Sequence, residues 1–303
     1  MKLVAIDIGS NAIRFQLVKV FEEENSVSFK KLEYLRFPLR LGQDVFKKGK
    51  ITSATQTKFE KLMRIFKLLI DLYEVDAYRA VATSAMREAE NGPTIQEYIR
   101  DMVGLKIDII EGSTEAHILN KSILPFLREK QYVHIDVGGG STELNIFEGK
   151  ELIKSQSFKI GSVRKLSANK RVETFKDMKQ WLKSIELSST KTITGIGTGG
   201  NINKLYKLSK KPFGRYISLS ELKALRAYVK AFTYEERMSV LKMNPDRADV
   251  IIPASEIYIN VLQFVGSDQI MVPKVGLKDG LIYELYETVS HKNLAQIEFL
   301  EDF

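Results

Sequence analysis

With 303 residues, 44% of them hydrophobic and 28% charged, the chain is long enough for two domains with separate cores and has a globular rather than a disordered composition. The absence of cysteine excludes disulfides and thiolate chemistry, and charge breaks every apolar stretch before the roughly 20 residues a membrane span needs, so the expected compartment is the cytoplasm. A formal charge of +8 favours anionic partners, but the basic clusters at 46–50, 163–172 and 203–215 accompany no nucleic-acid-binding motif; neither nucleic acid nor membrane is an expected partner.

Residues 2–7, 12–20 and 27–37 read as three antiparallel strands, joined by the Gly-Ser-Asn turn at 9–11 and the acidic turn at 22–25. The acid at Asp7 comes too early for a secretory apolar region. From Thr52 to Glu74, Phe59, Leu62, Met63, Phe66, Leu69, Ile70 and Tyr73 recur at spacings of three and four, which predicts an amphipathic helix over the meander. A strand at 77–83 then runs into a helix at 84–90, and a strand at 106–112 into a helix from 113, with Ser113 as its expected N-cap. Alternating strands and helices indicate an α/β fold.

At 131 the pattern restarts, with strands at 131–137, 142–149 and 151–160 around a second glycine turn. "LVAIDIGSN" and "VHIDVGGGS" share a hydrophobic run, Ile-Asp, one apolar residue and glycine, too far apart for a solenoid repeat, so two similar domains are expected. Beyond them, 190–209 reads as strand, glycine turn and helix, 246–266 as a helix starting near Pro245, and 270–290 as strand, turn and closing helix.

Three consecutive glycines between acids carry the chemistry. Glycine lets backbone approach a ligand closely, and successive N–H groups in a tight turn form an anion site. The amides of Gly138, Gly139, Gly140 and Ser141, with the hydroxyls of Ser141 and Thr142, are therefore candidates to hold a phosphoryl group, and Asp136 and Glu143 to hold a divalent cation. The competing reading is a β-hairpin whose glycines serve turn geometry alone. The loop "GIGTGG" (195–200) lies between strand and helix, but matches neither G-x-G-x-x-G nor the Walker pattern. His117, His134 and His291 have no metal-ligand spacing and read as structural.

In order along the chain, "DIGSN", "ATSAMREAEN", "EGSTEA", "DVGGGSTEL", "GIGTGGNI", "DRADVIIPA" and "GLKDG" resemble the Ppx/GppA family of exopolyphosphatases and guanosine pentaphosphate phosphohydrolases, within the actin, Hsp70 and sugar-kinase superfamily. The resemblance implies two similar actin-like ATPase (ribonuclease H-like) α/β domains with a cleft between them: 1–117, completed by 290–303, and 118–289. It implies that Gly9, Ser10 and Asn11 face Gly138–Ser141 about a phosphate that Thr83 and Arg87 also contact, that Glu115 is the catalytic base, and that Asp7, Asp136 and Glu143 serve Mg2+. Gly197, Thr198, Gly199 and Gly200 correspond to a nucleotide or polyphosphate loop. On its own, Glu115 reads as a first-turn residue whose charge the helix dipole favours. The implied activity is release of terminal phosphate from polyphosphate or guanosine pentaphosphate (pppGpp), with a homodimer as the allowed assembly. The alternatives are a non-catalytic polyphosphate or alarmone sensor and an ATP-dependent phosphotransferase. The chain departs from the family pattern at Asn201, at Ala254 and Ser255, and at Lys278 and Asp279.

Overall fold

The computed structural model describes residues 1–23, 26–185, 192–294 and 298–300. Parts of three expected elements, at 24–25, 190–191 and in the terminal segment at 295–297 and 301–303, lie outside them. The chain forms two compact units: Met1–Pro125 together with the segment from Gly276, and Phe126–Val275.

The first unit opens with β1 (Lys2–Ile8), β2 (Ile13–Glu22) and β3 (Ser26–Phe37), an antiparallel meander as expected. Then follow α1 (Leu41–Lys48), α2 (Ser53–Leu72), β4 (Ala77–Ala82), α3 (Ser84–Glu88), α4 (Gly92–Val103), β5 (Ile107–Ile109) and α5 (Gly112–Ile123). β4 lies parallel to β1, and β5 parallel to β4, giving the order β3-β2-β1-β4-β5. β1 is central and apolar on both faces. Val4, Ile6 and Ile8 pack with Phe59, Met63 and Phe66 of α2, while Leu3 and Ala5 pack with Ile118 and Leu119 of α5. Ser113 is not the cap of α5: the helix starts at Gly112, and Glu111 occupies the extended cap position.

The second unit contains β6 (Gln131–Val137), β7 (Thr142–Glu148), β8 (Glu151–Phe158), α6 (Ala168–Lys183), β9 (Ile193–Thr198), α7 (Gly200–Ser209), β10 (Ile217–Ser218), α8 (Leu219–Lys230), α9 (Tyr234–Ser239), α10 (Pro245–Ala248), α11 (Ile251–Phe264) and β11 (Gln269–Met271). The helix expected from Pro245 is two helices, and Pro253 in the first turn of α11 has no N–H to donate back across the break. The order β8-β7-β6-β9-β11 repeats that of the first sheet, with β6 antiparallel to β7 and parallel to β9. Both hairpins keep the same register. Four residues, 9–12 and 138–141, link the pairs Ile8–Ile13 and Val137–Thr142, so Asp7 faces Arg14 where Asp136 faces Glu143. The two similar actin-like sheets expected from the sequence are present.

α12 (Leu277–Ser290) and β12 (Glu298–Leu300) return to the first unit, where β12 pairs in parallel with β3. The units therefore divide at Pro125 and Gly276, not at 117 and 289. Residue 117 lies inside α5, and Leu281, Ile282 and Tyr286 of α12 share the core of Leu3, Ala5 and Ile118. The backbones of α5 and α12 meet so closely that a methyl group at Gly280 would lie 1.9 Å from the Ile118 carbonyl oxygen. Gly280→Ala is expected to lower the unfolding free energy by about 1–3 kcal/mol, read from urea denaturation, by overpacking this contact.

Candidate functional site

The second glycine turn is held from one side. The N–H of Ser162 donates to the carbonyl of Gly138 (3.0 Å), those of Val163 and Arg164 to Gly139 (2.8 and 3.0 Å), and Arg164 Nε to Gly140 (2.6 Å). In a planar trans peptide the carbonyl of one residue and the amide of the next point in opposite directions. The amides of Gly139, Gly140 and Ser141 are therefore turned away from 162–164, as an anion nest requires. The Gly138 amide is not among them, because it closes the turn onto the Ser141 carbonyl (3.0 Å). Thr142 is likewise engaged, its hydroxyl donating to the Ile160 carbonyl (2.6 Å). Gly161 makes this approach possible: a Cβ there would lie 2.4 Å from the Gly139 oxygen. Gly161 and Arg164 were missed by motif reasoning, since only spatial proximity joins them to the turn.

Behind the nest, Asp136 and Glu143 are directly cross-strand and share one face of the sheet. Ser157 of β8 donates to Glu143 Oε1 (3.0 Å), and Thr198 at the end of β9 donates to Asp136 Oδ1 (2.5 Å). The Tyr258 hydroxyl donates to the Thr198 carbonyl, and burial, then the charge of Asp136, raise its pKa well above the ordinary tyrosine value. His134 joins the cluster, with Nε2 2.9 Å from Thr198 Oγ1 and Nδ1 3.0 Å from Asn145 Nδ2. The third glycine loop is shorter than its motif. Gly197 lies within β9, where the missing side chain makes room for Ile202 and Ile270, and the turn itself is Gly199–Gly200. Gly199 has φ +98°, and a Cβ there would sit 3.2 Å from the Val137 oxygen. The guanidinium of Arg247 lies against Gly200, and its Nη1 donates to Asn201 Oδ1 (2.7 Å).

The first unit gathers its candidates at the C-terminal ends of its parallel strands, where open α/β sheets bind ligands. Asp7 is engaged by Arg14, with Nη1 to Oδ2 at 2.6 Å. Ser10 Oγ lies 2.8 Å from Ser84 Oγ, and the Thr83 amide donates to the Ile8 carbonyl (3.2 Å), tying the first glycine turn, with Gly9 and Asn11, to the start of α3. Arg87 of α3 donates through Nη1 to the Ile110 carbonyl (2.6 Å) and stands 3.8 Å from Glu111 and 4.0 Å from Glu115. Glu115 is in the first turn of α5, as expected, with only 12% of its side chain exposed.

The departures from the family pattern fit locally. Asn201 accepts from Arg247; Ser255 directs its hydroxyl to the Ile252 carbonyl (2.7 Å), leaving a regular helix at Ala254; Asp279 accepts from the Gly276 amide (2.8 Å) and from Gln16 Nε2 (3.0 Å). Lys278 pairs with Asp279 and lies over the Tyr34 ring.

Burial pushes the His134 pKa from 6.5 down to about 3, so the folded protein keeps the ring neutral while the unfolded chain takes up a proton below pH 6.5. The folded state is thus favoured above pH 6.5 and loses stability as pH falls towards 3, with a slope from this group approaching about 1.4 kcal/mol per pH unit. Urea midpoints measured from pH 7 to pH 4 are expected to fall more steeply for the wild type than for His134→Gln; parallel curves contradict the assignment.

Residues 20–289 match the Ppx/GppA phosphatase family. The bifunctional 3-dehydroquinate synthase/phosphatase of Fusobacterium nucleatum is 27% identical, the match covering 95% of this chain and 46% of that protein. Exopolyphosphatase 2 of Mycobacterium tuberculosis is 24% identical, with 94% and 98% covered. An exopolyphosphatase structure from Cytophaga hutchinsonii superposes with a TM-score of 0.82 at 21% identity, over 97% of this chain and 99% of that one, which establishes the fold. Several relatives are longer, and the chain spans 46% to 61% of their length. Because the family match runs from β2 to α12 and so takes in most of both units, the chain belongs to the Ppx/GppA phosphatase family.

Proposed function

We propose that the chain is a cytoplasmic phosphoanhydride hydrolase that releases orthophosphate from the end of inorganic polyphosphate or guanosine pentaphosphate with the help of Mg2+. The observation that carries this reading is the clamped glycine turn, whose three outward amides are adjacent to a cross-strand pair of carboxylates. The donor set fits Mg2+, which takes one or two protein carboxylates and completes its shell with water and phosphate oxygens. Asp136 and Glu143 would hold it, and among the described residues no group of three or more acidic or histidine side chains offers a fuller cage. Asp7 is assigned instead to holding Arg14. When bound, Mg2+ supplies charge neutralisation at the scissile anhydride.

In this reading the amides of Gly139, Gly140 and Ser141 are the phosphate donors of the second unit, and Arg87 is the candidate phosphate donor of the first, with a fork suited to phosphate oxygens. Glu115 accepts a proton from water as the water oxygen bonds to the terminal phosphorus and the bridging P–O bond breaks. The products are orthophosphate and a chain one phosphate shorter. The relatives support the substrate class by name: one matched over 98% of its length is an exopolyphosphatase.

Phosphate release from long polyphosphate, short polyphosphate and pppGpp, each with and without Mg2+, tests the reading; a folded protein that releases none is not this enzyme. Glu115→Gln is expected to lower kcat about a hundredfold or more, whereas unchanged turnover would remove its role as base. Gly161→Ala, which forces a methyl group onto the Gly139 carbonyl, is expected to raise KM about tenfold, equivalent to about 1.4 kcal/mol of lost phosphate binding.

A further inference from the structure

His134 stands two residues before Asp136 on the same face of β6, and Asn145 and Ser155 extend that face across β7 and β8 in register. The hydrogen bonds there have one consistent direction. As an anion Asp136 only accepts, so the single Thr198 hydroxyl proton is committed to Asp136 Oδ1 (2.5 Å). The contact between His134 Nε2 and Thr198 Oγ1 (2.9 Å) must then be donated by Nε2–H, which leaves Nδ1 bare to accept from Asn145 Nδ2 (3.0 Å). Asn145 Oδ1 in turn accepts from Ser155 Oγ (2.6 Å). The relay runs Ser155, Asn145, His134, Thr198, Asp136, each donor strengthened by the bond it accepts.

His134, Asn145 and Thr198 are fully buried. Burying three polar side chains costs free energy that an apolar filler would not, and the polar set gains little unless every member is satisfied and the arrangement fixes something. What it fixes is the carboxylate at its end. We infer that His134 is a positioning residue for Asp136: through Thr198 it anchors Oδ1 and so sets the orientation in which the carboxylate meets a divalent cation. This rests on the proposed assignment of Asp136 to the cation.

The test is Mn2+ binding to the full chain in the presence of orthophosphate, followed by the loss of the free-ion electron paramagnetic resonance signal. Wild type is compared with Asp136→Asn, His134→Leu and His134→Gln, the last of which can still accept from Asn145 and donate to Thr198. Asp136→Asn is expected to lose binding, and His134→Leu to weaken it about tenfold to a hundredfold, the usual effect of removing a partner of a metal ligand. His134→Gln is expected to stay within about threefold of wild type. If His134→Leu binds as wild type while Asp136→Asn does not, the positioning role falls and the cation assignment stands. If Asp136→Asn binds normally, or wild type does not bind, the cation assignment falls and this inference with it. Should His134→Leu fail to fold, the 15N imidazole spectrum of wild type decides: an Nε2–H tautomer supports the relay, and an Nδ1–H tautomer overturns it.

Discussion

Peptide planarity is the constraint on which the candidate site depends. Once the segment 162–164 takes the carbonyls of Gly138, Gly139 and Gly140, the amides of the following residues have no freedom left in direction. The direction of the amides at 139–141 is thus decided some twenty residues downstream, by the backbone that follows β8. Glycine is needed at 161, where the backbone must come within reach of the turn's oxygens. Reversing the chain alone requires neither the clamp nor Gly161.

The two units use one backbone plan for different chemistry. In the first, the central strand places Ala5 and Asp7 where the second places His134 and Asp136. β1 is covered by apolar side chains on both faces, and its lone acid is neutralised by the cross-strand Arg14. β6 is apolar on one face only: Val133, Ile135 and Val137 enter the helix-covered core, and the opposite face carries a hydrogen-bonded polar set next to a second carboxylate. Replacing arginine by glutamate at the facing position converts a self-neutralised pair into two like charges, which are stable together only if hydroxyl donors such as Thr198 and Ser157, or a cation, share the load.

The legible part of this chain was the part written in local pattern. Alternation and turn residues located both meanders, and the repeated Ile-Asp and glycine signature located both hairpins with their acids in register. The illegible part depends on contacts between distant segments. His134 read as structural because the relay needs Asn145, Ser155 and Thr198 brought together by strand register, which no spacing along one strand encodes. The boundary near 117 failed because α5 is amphipathic towards the sheet that precedes it, and only the returning α12 reveals which sheet that is. Gly197 was grouped with a loop although its neighbours Ile202 and Ile270 make it a packing glycine within β9.

The C-terminal motif shows how a departure in sequence can preserve a physical role. "GLKDG" places Asp279 in the first turn of α12, where its carboxylate reaches the Gly276 amide and also accepts from Gln16 of β2. This first-turn acid both caps its own helix and pins it to the sheet. One residue on, Gly280 seats α12 against the Ile118 carbonyl, and Ile118 lies one turn beyond Glu115 on the same helix. The segment that returns from the second unit therefore sets the height of α5 over its sheet, and with it the position of Glu115 relative to Arg87 and the strand ends. Asp279 and Gly280 thereby fix the helix that carries the proposed base.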